Sequence, residues 1–174
     1  MKVIIQQIKN ILFKIFLSKE DYLRKRGVKI GYDCNILSIS FGSEPYLIEL
    51  GNSIRVTSGV KFFTHGGANI LRYKYPDFDF FGKIKVGNNV YIGSNSLILP
   101  GVVIGDNVVI GAGSVVTKSL KSGGVYAGNP ARYIKSIEKY EEGLLPYNLK
   151  TKGLNAQEKK KVILESPEKI FIKK

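Results

Sequence analysis

Between residues 86 and 120 the apolar positions recur every six residues. Read in sixes, the stretch is VGNNVY, IGSNSL, ILPGVV, IGDNVV, IGAGSV, VTKSLK. The first position is always β-branched: Val86, Ile92, Ile98, Ile104, Ile110 and Val116. With 44% of the chain apolar, six such hits at fixed spacing arise by chance less than about once in a hundred tries. The second position is Gly at 87, 93, 105 and 111, and the fifth is small or aliphatic throughout: Val90, Ser96, Val102, Val108, Ser114 and Leu120. A period of six fits neither a helix nor a simply alternating strand.

The pattern predicts a parallel β-helix in which each six supplies one short strand and one sharp turn. Three sixes close a triangular coil, and coils stack at strand spacing, ~4.8 Å. First and fifth positions point inward, while Gly and Asn serve the turns because they tolerate positive φ. A β-sandwich would not hold a six-residue register over this length. Weaker repeats precede this stretch. Ile30 and Ile36 open the register, and Cys34 falls at an inward fifth position as a small core residue. A two-residue slip follows near 42–46, where Pro45 marks a bulge or corner. Leu50, Val56 and Phe62 resume the register, with Ile54 and Val60 at fifth positions.

His65, the only histidine, stands at a fourth position, where side chains leave the prism. Residues 66–83 then depart from the repeat, carrying Arg72, Tyr73, Tyr75 and several Phe. A long aromatic excursion of this kind is usually functional. The register survives it, because Phe62 and Val86 are twenty-four residues apart. Outside the prism, residues 1–26 read as an N-terminal helical cap. An apolar stripe runs from Val3 to Phe16, and Ser18 with Asp21 caps a second short helix over 21–26. The β-helix spans 27–132. The C-terminal part, 133–174, is expected to hold a capping helix over 133–142, a break at 143–146, a polar helix over 156–165 and a mobile basic tail from 166.

Charge narrows the partners. The net charge of +13 suits anionic small molecules or an acidic membrane surface met by the N-terminal helix, and no nucleic-acid motif accompanies it. One Cys excludes an internal disulfide framework and suits a reducing, cytoplasmic setting. No apolar run reaches the length of a membrane span, and no cleavable leader is evident. A single His excludes a three-histidine zinc site, so no metal is expected.

The run IGSNSLILPGVVIGDNVVIGAGSVVTK, followed by AGNPAR, resembles the hexapeptide acyltransferases, whose members include maltose, galactoside, serine and xenobiotic acetyltransferases. The resemblance implies an all-β core, a left-handed parallel β-helix, and a homotrimer with acyl-CoA between neighbouring subunits. It puts a general base at His65, a role that imidazole, with an ordinary pKa near ~6.5, suits at neutral pH. Transfer would be direct, with an oxyanion donor among the turn N–H groups near Gly93–Ser94. Ser94 would lie near the thioester, Ala112 along the pantetheine, and Thr117 and Lys118 further on. Arg132 and Lys135 would meet the adenosine phosphates. Tyr91 stands where sugar acetyltransferases carry Trp and could pack on a sugar face. Arg72 and Tyr73 of the excursion are expected to meet the acceptor. One departure matters: relatives reading THDGG carry an acid directly after the histidine, whereas this chain reads Thr64-His65-Gly66. The expectation is an acetyl-CoA-dependent O-acetyltransferase acting on a sugar or glycan intermediate of capsule or O-antigen type. The alternatives are an N-acetyltransferase on an amino sugar or nucleotide sugar, and a non-enzymatic β-helix scaffold.

Overall fold

The computed structural model describes residues 17–38 and 40–173. They divide into two compact units, the first ending at Ile137 and the second beginning at Glu138. The first unit opens with helix α1 (Lys19–Lys25). Its strands are β1 (Lys29–Ile30), β2 (Asn35–Ile36), β3 (Ile48–Leu50), β4 (Arg55–Val56), β5 (Lys61–Phe62), β6 (Ile84–Val86), β7 (Val90–Ile92), β8 (Leu97–Ile98), β9 (Val103–Ile104), β10 (Val108–Ile110), β11 (Val115–Val116), β12 (Gly124–Ala127) and β13 (Arg132–Ser136). Helix α2 (Ile137–Leu144) starts at the boundary, and the second unit holds the rest of it and α3 (Ala156–Glu165).

Strands β1 to β12 pair with one another only in parallel and sort into three sheets. The first face has the order β1-β3-β6-β9, the second continues from β2 through β4, β7 and β10 to β12, and the third is β5-β8-β11. From β3 to β11 successive strands visit the three faces in turn, which is the coil that a six-residue period requires. Inward first positions from Ile36 to Val116 are no more than 4% exposed. The fifth positions Ile54 to Leu120 are no more than 7% exposed. Two fifth positions are Ser, and each buried hydroxyl finds a carbonyl: Ser96 Oγ donates to Gly93 O (2.7 Å) and Ser114 Oγ to Gly111 O (2.6 Å). Turns between the first and second faces carry Asp33, Ser53, Asn89 and Asn107, all at positive φ. Asn89 and Asn107 also bond side chain to side chain at 2.8 Å.

Truncating one of these columns opens a cavity in the stack. Ile98→Ala, at a side chain with no exposed surface, is expected to destabilise the fold by about 2–5 kcal/mol. Chemical denaturation of both proteins measures this.

Helix α1 forms where Ser18 and Asp21 predict it. Ser18 Oγ accepts from Asp21 N (3.1 Å), and Leu23 is fully buried in the core. Its polar side chains reach the first coil: Ile36 N donates to Glu20 Oε1 (2.8 Å), and Arg24 donates to the carbonyls of Ile30 and Gly31. Residues 1–16, with the expected apolar stripe and any membrane contact, lie outside the described residues. Among the described residues, no helix is long and apolar enough to cross a membrane. Cys34 is half-buried against the core, with its Sγ 3.4 Å from Tyr32 O and from Gly51 O. The slip at 42–46 is a corner built on a 3-10 turn over Pro45–Leu47.

The C-terminal region differs from expectation. Residues 133–136 do not begin a helix; with Arg132 they form β13, antiparallel to β12. The reason is the open sheet edge: β12 is the last coil strand of the second face, and its unpaired backbone is met by the next extended segment. The helix starts only at Ile137. A 3-10 turn at Glu168–Ile170 lies within the segment expected as a tail. Asn155 caps α3 by accepting from Gln157 N and Glu158 N.

Candidate active site

His65 follows β5 at the corner between the third and first faces. The excursion that starts beside it closes on itself. His65 and Phe81 form an antiparallel bridge, and Gly82 N donates to Thr64 O (2.7 Å). The segment between them is therefore an Ω-like loop anchored at the histidine. Gly82 is required at the anchor, because a Cβ there would lie 2.2 Å from Gly101 N of the next coil. Phe81 meets the imidazole edge-on, with ring centroids 6.1 Å apart. A cavity of about 290 Å³ opens here, lined by His65, Glu44, Ser43, Asn69, Arg72, Asp79 and Phe81 among others.

The decisive contact is with Glu44. Ser40 bridges to Lys61, which places residues 44 and 65 at the same offset, one coil above the other. Glu44 Oε2 lies 2.8 Å from His65 Nδ1 and accepts a 2.6 Å bond from the buried Thr64 hydroxyl. The Thr64 bond above all holds the Glu44 carboxyl down at about 2; partial burial opposes this, and bonds from His65 and Ser43 add to it. An ionised carboxylate only accepts hydrogen bonds, so the proton in the pair belongs to Nδ1. Neutral His65 therefore presents a lone pair at Nε2. The His65 side chain is 43% exposed, and it lines the cavity.

Sequence reasoning missed Glu44. The expected acid directly after the histidine is absent, and the carboxylate comes from the preceding coil instead. The available signal was the register slip at 42–46, which lies at the same corner one coil earlier and contains a single acid.

Of the expected acceptor residues, Arg72 is in the cavity, held by Phe78 O (3.0 Å) and Asp79 (3.4 Å). Tyr73 is 86% exposed and does not line the cavity. Tyr91 faces outward on the second face, between Arg55 and Val109 in register. Neither tyrosine is brought to His65 within one chain.

The expected donor residues fall in three places. Ser94 and Ala112 sit on stacked turns at the corner between the second and third faces, where Gly113 N donates to Ser94 O (2.8 Å). Ser94 Oγ donates to Thr57 Oγ1 (3.2 Å). This corner is open: Gly113, at φ +69, has nothing within 4 Å of a would-be Cβ. Thr117 and Lys118 are exposed on the His65 corner, two coils along, at a rise of about 10 Å. Arg132 and Lys135 lie on β13. The width of the third face thus separates His65 from Ser94 and Ala112 in the same chain. Among the described residues, no group of His, Cys, Asp and Glu could hold a metal.

Comparison with known proteins agrees with this architecture. Residues 83–118 match the family model described as bacterial transferase hexapeptide (six repeats). Protein CapG of Staphylococcus aureus is 57% identical over 149 residues, covering 83% of this chain and 87% of that protein. The crystal structure of a maltose O-acetyltransferase from Clostridium difficile 630 superposes with a TM-score of 0.57 at 29% identity, covering 73% of this chain and 81% of that one. A galactoside acetyltransferase in complex with coenzyme A has a TM-score of 0.50 at 27% identity, covering 71% and 72%. The shared fold is the left-handed parallel β-helix.

Proposed function

The chain belongs to the hexapeptide-repeat acyltransferases, and from that premise we propose that it is an acetyl-CoA-dependent O-acetyltransferase whose acceptor is a sugar or glycan intermediate. The observation that carries the chemistry is the Glu44–His65 pair lining the cavity. The solved relatives named for maltose and galactoside acetylation support a sugar acceptor, and the coenzyme A complex supports the donor.

In this reading, His65 Nε2 takes the proton of the acceptor hydroxyl while that oxygen attacks the thioester carbonyl carbon. The C–O bond forms, the C–S bond breaks, and the proton passes to the departing thiolate. A thioester is already activated, so no acyl-enzyme is required. Glu44 acts through His65: it fixes the tautomer and stabilises the imidazolium that forms. Gly93 N–H is committed to Ile110 O (2.8 Å), which leaves Ser94 N–H as the candidate oxyanion donor.

The donor fits an open, small-residue corner such as Ser94–Ala112–Gly113, where backbone approach is unhindered. That corner and His65 bound opposite edges of the third face. A threefold assembly about this face would bring the His65 corner of one copy against the Ser94 corner of the next. Leu97 and Val115, the outward residues of β8 and β11, give the face an apolar surface for it. Arg132 and Lys135 supply positive charge for the donor's phosphates. Helix α1 closes the first coil by the same reading, and a free Cys34 suits a reducing compartment.

Two measurements test the assembly and the donor site. Sedimentation equilibrium is expected to give three times the chain mass, with Leu97→Glu shifting it toward monomer and removing transfer; a fully active monomer would contradict this reading. Ala112→Trp is expected to weaken acetyl-CoA binding at least about tenfold by filling the path, since one lost contact set of 1.4 kcal/mol suffices. Unchanged affinity by calorimetry would place the donor elsewhere.

A further inference from the structure

A second concavity lies on the first face of the prism, around the corner from His65. Its volume is about 270 Å³, and its lining includes Lys29, Tyr46, Glu49, Lys83 and Lys85. Strand register explains the charge row. Lys29, Glu49 and Lys85 are successive partners across β1, β3 and β6, so all three point outward on neighbouring strands. Lys29 is 3.7 Å from Glu49. Among the described residues, Lys83 and Lys85 have no ion pair, and both are exposed. Three lysines against one glutamate leave two positive charges around a single groove. Tyr46, 63% exposed, adds an aromatic face at its rim.

Both segments that line the groove continue into the His65 cavity. Tyr46 is two residues from Glu44, and Lys83 is two residues from Phe81. Two residues of chain span at most about 7 Å, roughly the reach of one sugar ring and its anomeric oxygen. We propose that this groove is an acceptor subsite for a diphosphate, so that the enzyme acetylates a sugar activated as a diphosphosugar, with the ring at His65 and the phosphates on Lys83 and Lys85. The inference rests on the O-acetyltransferase reading of the His65 site. Its charge suits the group: a diphosphate ester carries about two negative charges, and lysine meets phosphate as a point charge without needing a rigid fork. The remaining choice is the diphosphate's other substituent, a nucleoside or a prenyl lipid.

The test uses the full chain with its donor site saturated by coenzyme A, so that added phosphate cannot enter there. Inorganic pyrophosphate is titrated calorimetrically into wild type, Lys83→Ser/Lys85→Ser and Lys83→Arg/Lys85→Arg. Wild type and the Arg pair are expected to bind it, with affinity falling as salt rises, and the Ser pair is expected to bind at least about tenfold more weakly. UDP-glucose and a short-chain prenyl diphosphoglucose then identify the source, as the one whose affinity shows the same lysine dependence more strongly. No pyrophosphate binding to wild type, or equal binding to the Ser pair, overturns the subsite. So does a parallel loss of coenzyme A affinity in the Ser pair, which would assign the groove to the donor. Failure of the underlying reading is seen separately, as wild type that releases no thiol from acetyl-CoA with any acceptor while the pyrophosphate result stands.

Discussion

His65→Ala is expected to lower the turnover number for acetyl transfer by about 10²- to 10⁴-fold, the usual contribution of a positioned general base. Acetyl-CoA affinity should stay within about twofold of wild type, because the proposed donor residues lie on other turns and the histidine is not part of the core. Its side chain is 43% exposed, so the fold tolerates truncation. Thr64, fully buried beneath it, keeps its bond to Glu44. Thiol release followed at saturating donor, with donor affinity measured on the same protein, checks both halves. Retained turnover would remove His65 from the chemistry, whereas loss of donor binding would give it a different role.

Glu44→Gln should produce the second largest effect, a fall in turnover of between about ten- and a thousandfold, with little change in acceptor KM. The amide keeps the volume but no longer offers an acceptor charge to Nδ1–H. The imidazole then loses its fixed tautomer, and the imidazolium loses its counter-ion. Glu44→Asp, which keeps the charge on a shorter stem, should recover part of the rate; a merely structural role for Glu44 would not distinguish Asp from Gln in this way. The acid side of the stability curve supplies an independent readout. The Glu44 carboxyl titrates near 2 in the folded chain against an ordinary 4.5. It therefore stabilises the fold fully above pH 4.5, and that contribution fades as pH falls toward 2. Wild type should lose part of its advantage over Glu44→Gln across that window, as measured by thermal melts at each pH. Parallel curves would mean that the carboxylate is not held in the geometry described.

The repeat was legible because each first and fifth position serves one physical demand, a side chain that fills a narrow prism. That demand is the same in every coil, so Val86 to Val116 announce it six times, and the structure buries every one. Turn chemistry was legible for a similar reason, with Asn89 and Asn107 taking up positive φ where the spacing put them. Pairing between distant coils was not legible. Glu44 meets His65 because the slip at 42–46 alters the offset between neighbouring coils, and only the Ser40–Lys61 bridge fixes its size. The segment starting at Tyr133 read as a helix because local preference was all there was to weigh; the unpaired edge of β12 decided otherwise. Tyr91 was selected by resemblance and Tyr73 by its place in the excursion. Neither the face of a prism nor the outer side of a closed loop can be read from those alone. The separation of His65 from Ser94 and Ala112 by one full face was also invisible in the repeat, and it is the feature on which the proposed assembly rests.

The most direct test of the central claim is the chemical nature of the product. Wild-type protein is incubated with acetyl-CoA and a panel of saccharides, diphosphosugars and amino sugars, and the acetylated product is treated with mild alkali. The account predicts acceptor-dependent thiol release with a saccharide hydroxyl and an ester that alkali removes, both lost in His65→Ala. An alkali-resistant amide formed only on amino sugars, or an ester whose formation survives that substitution, would contradict it.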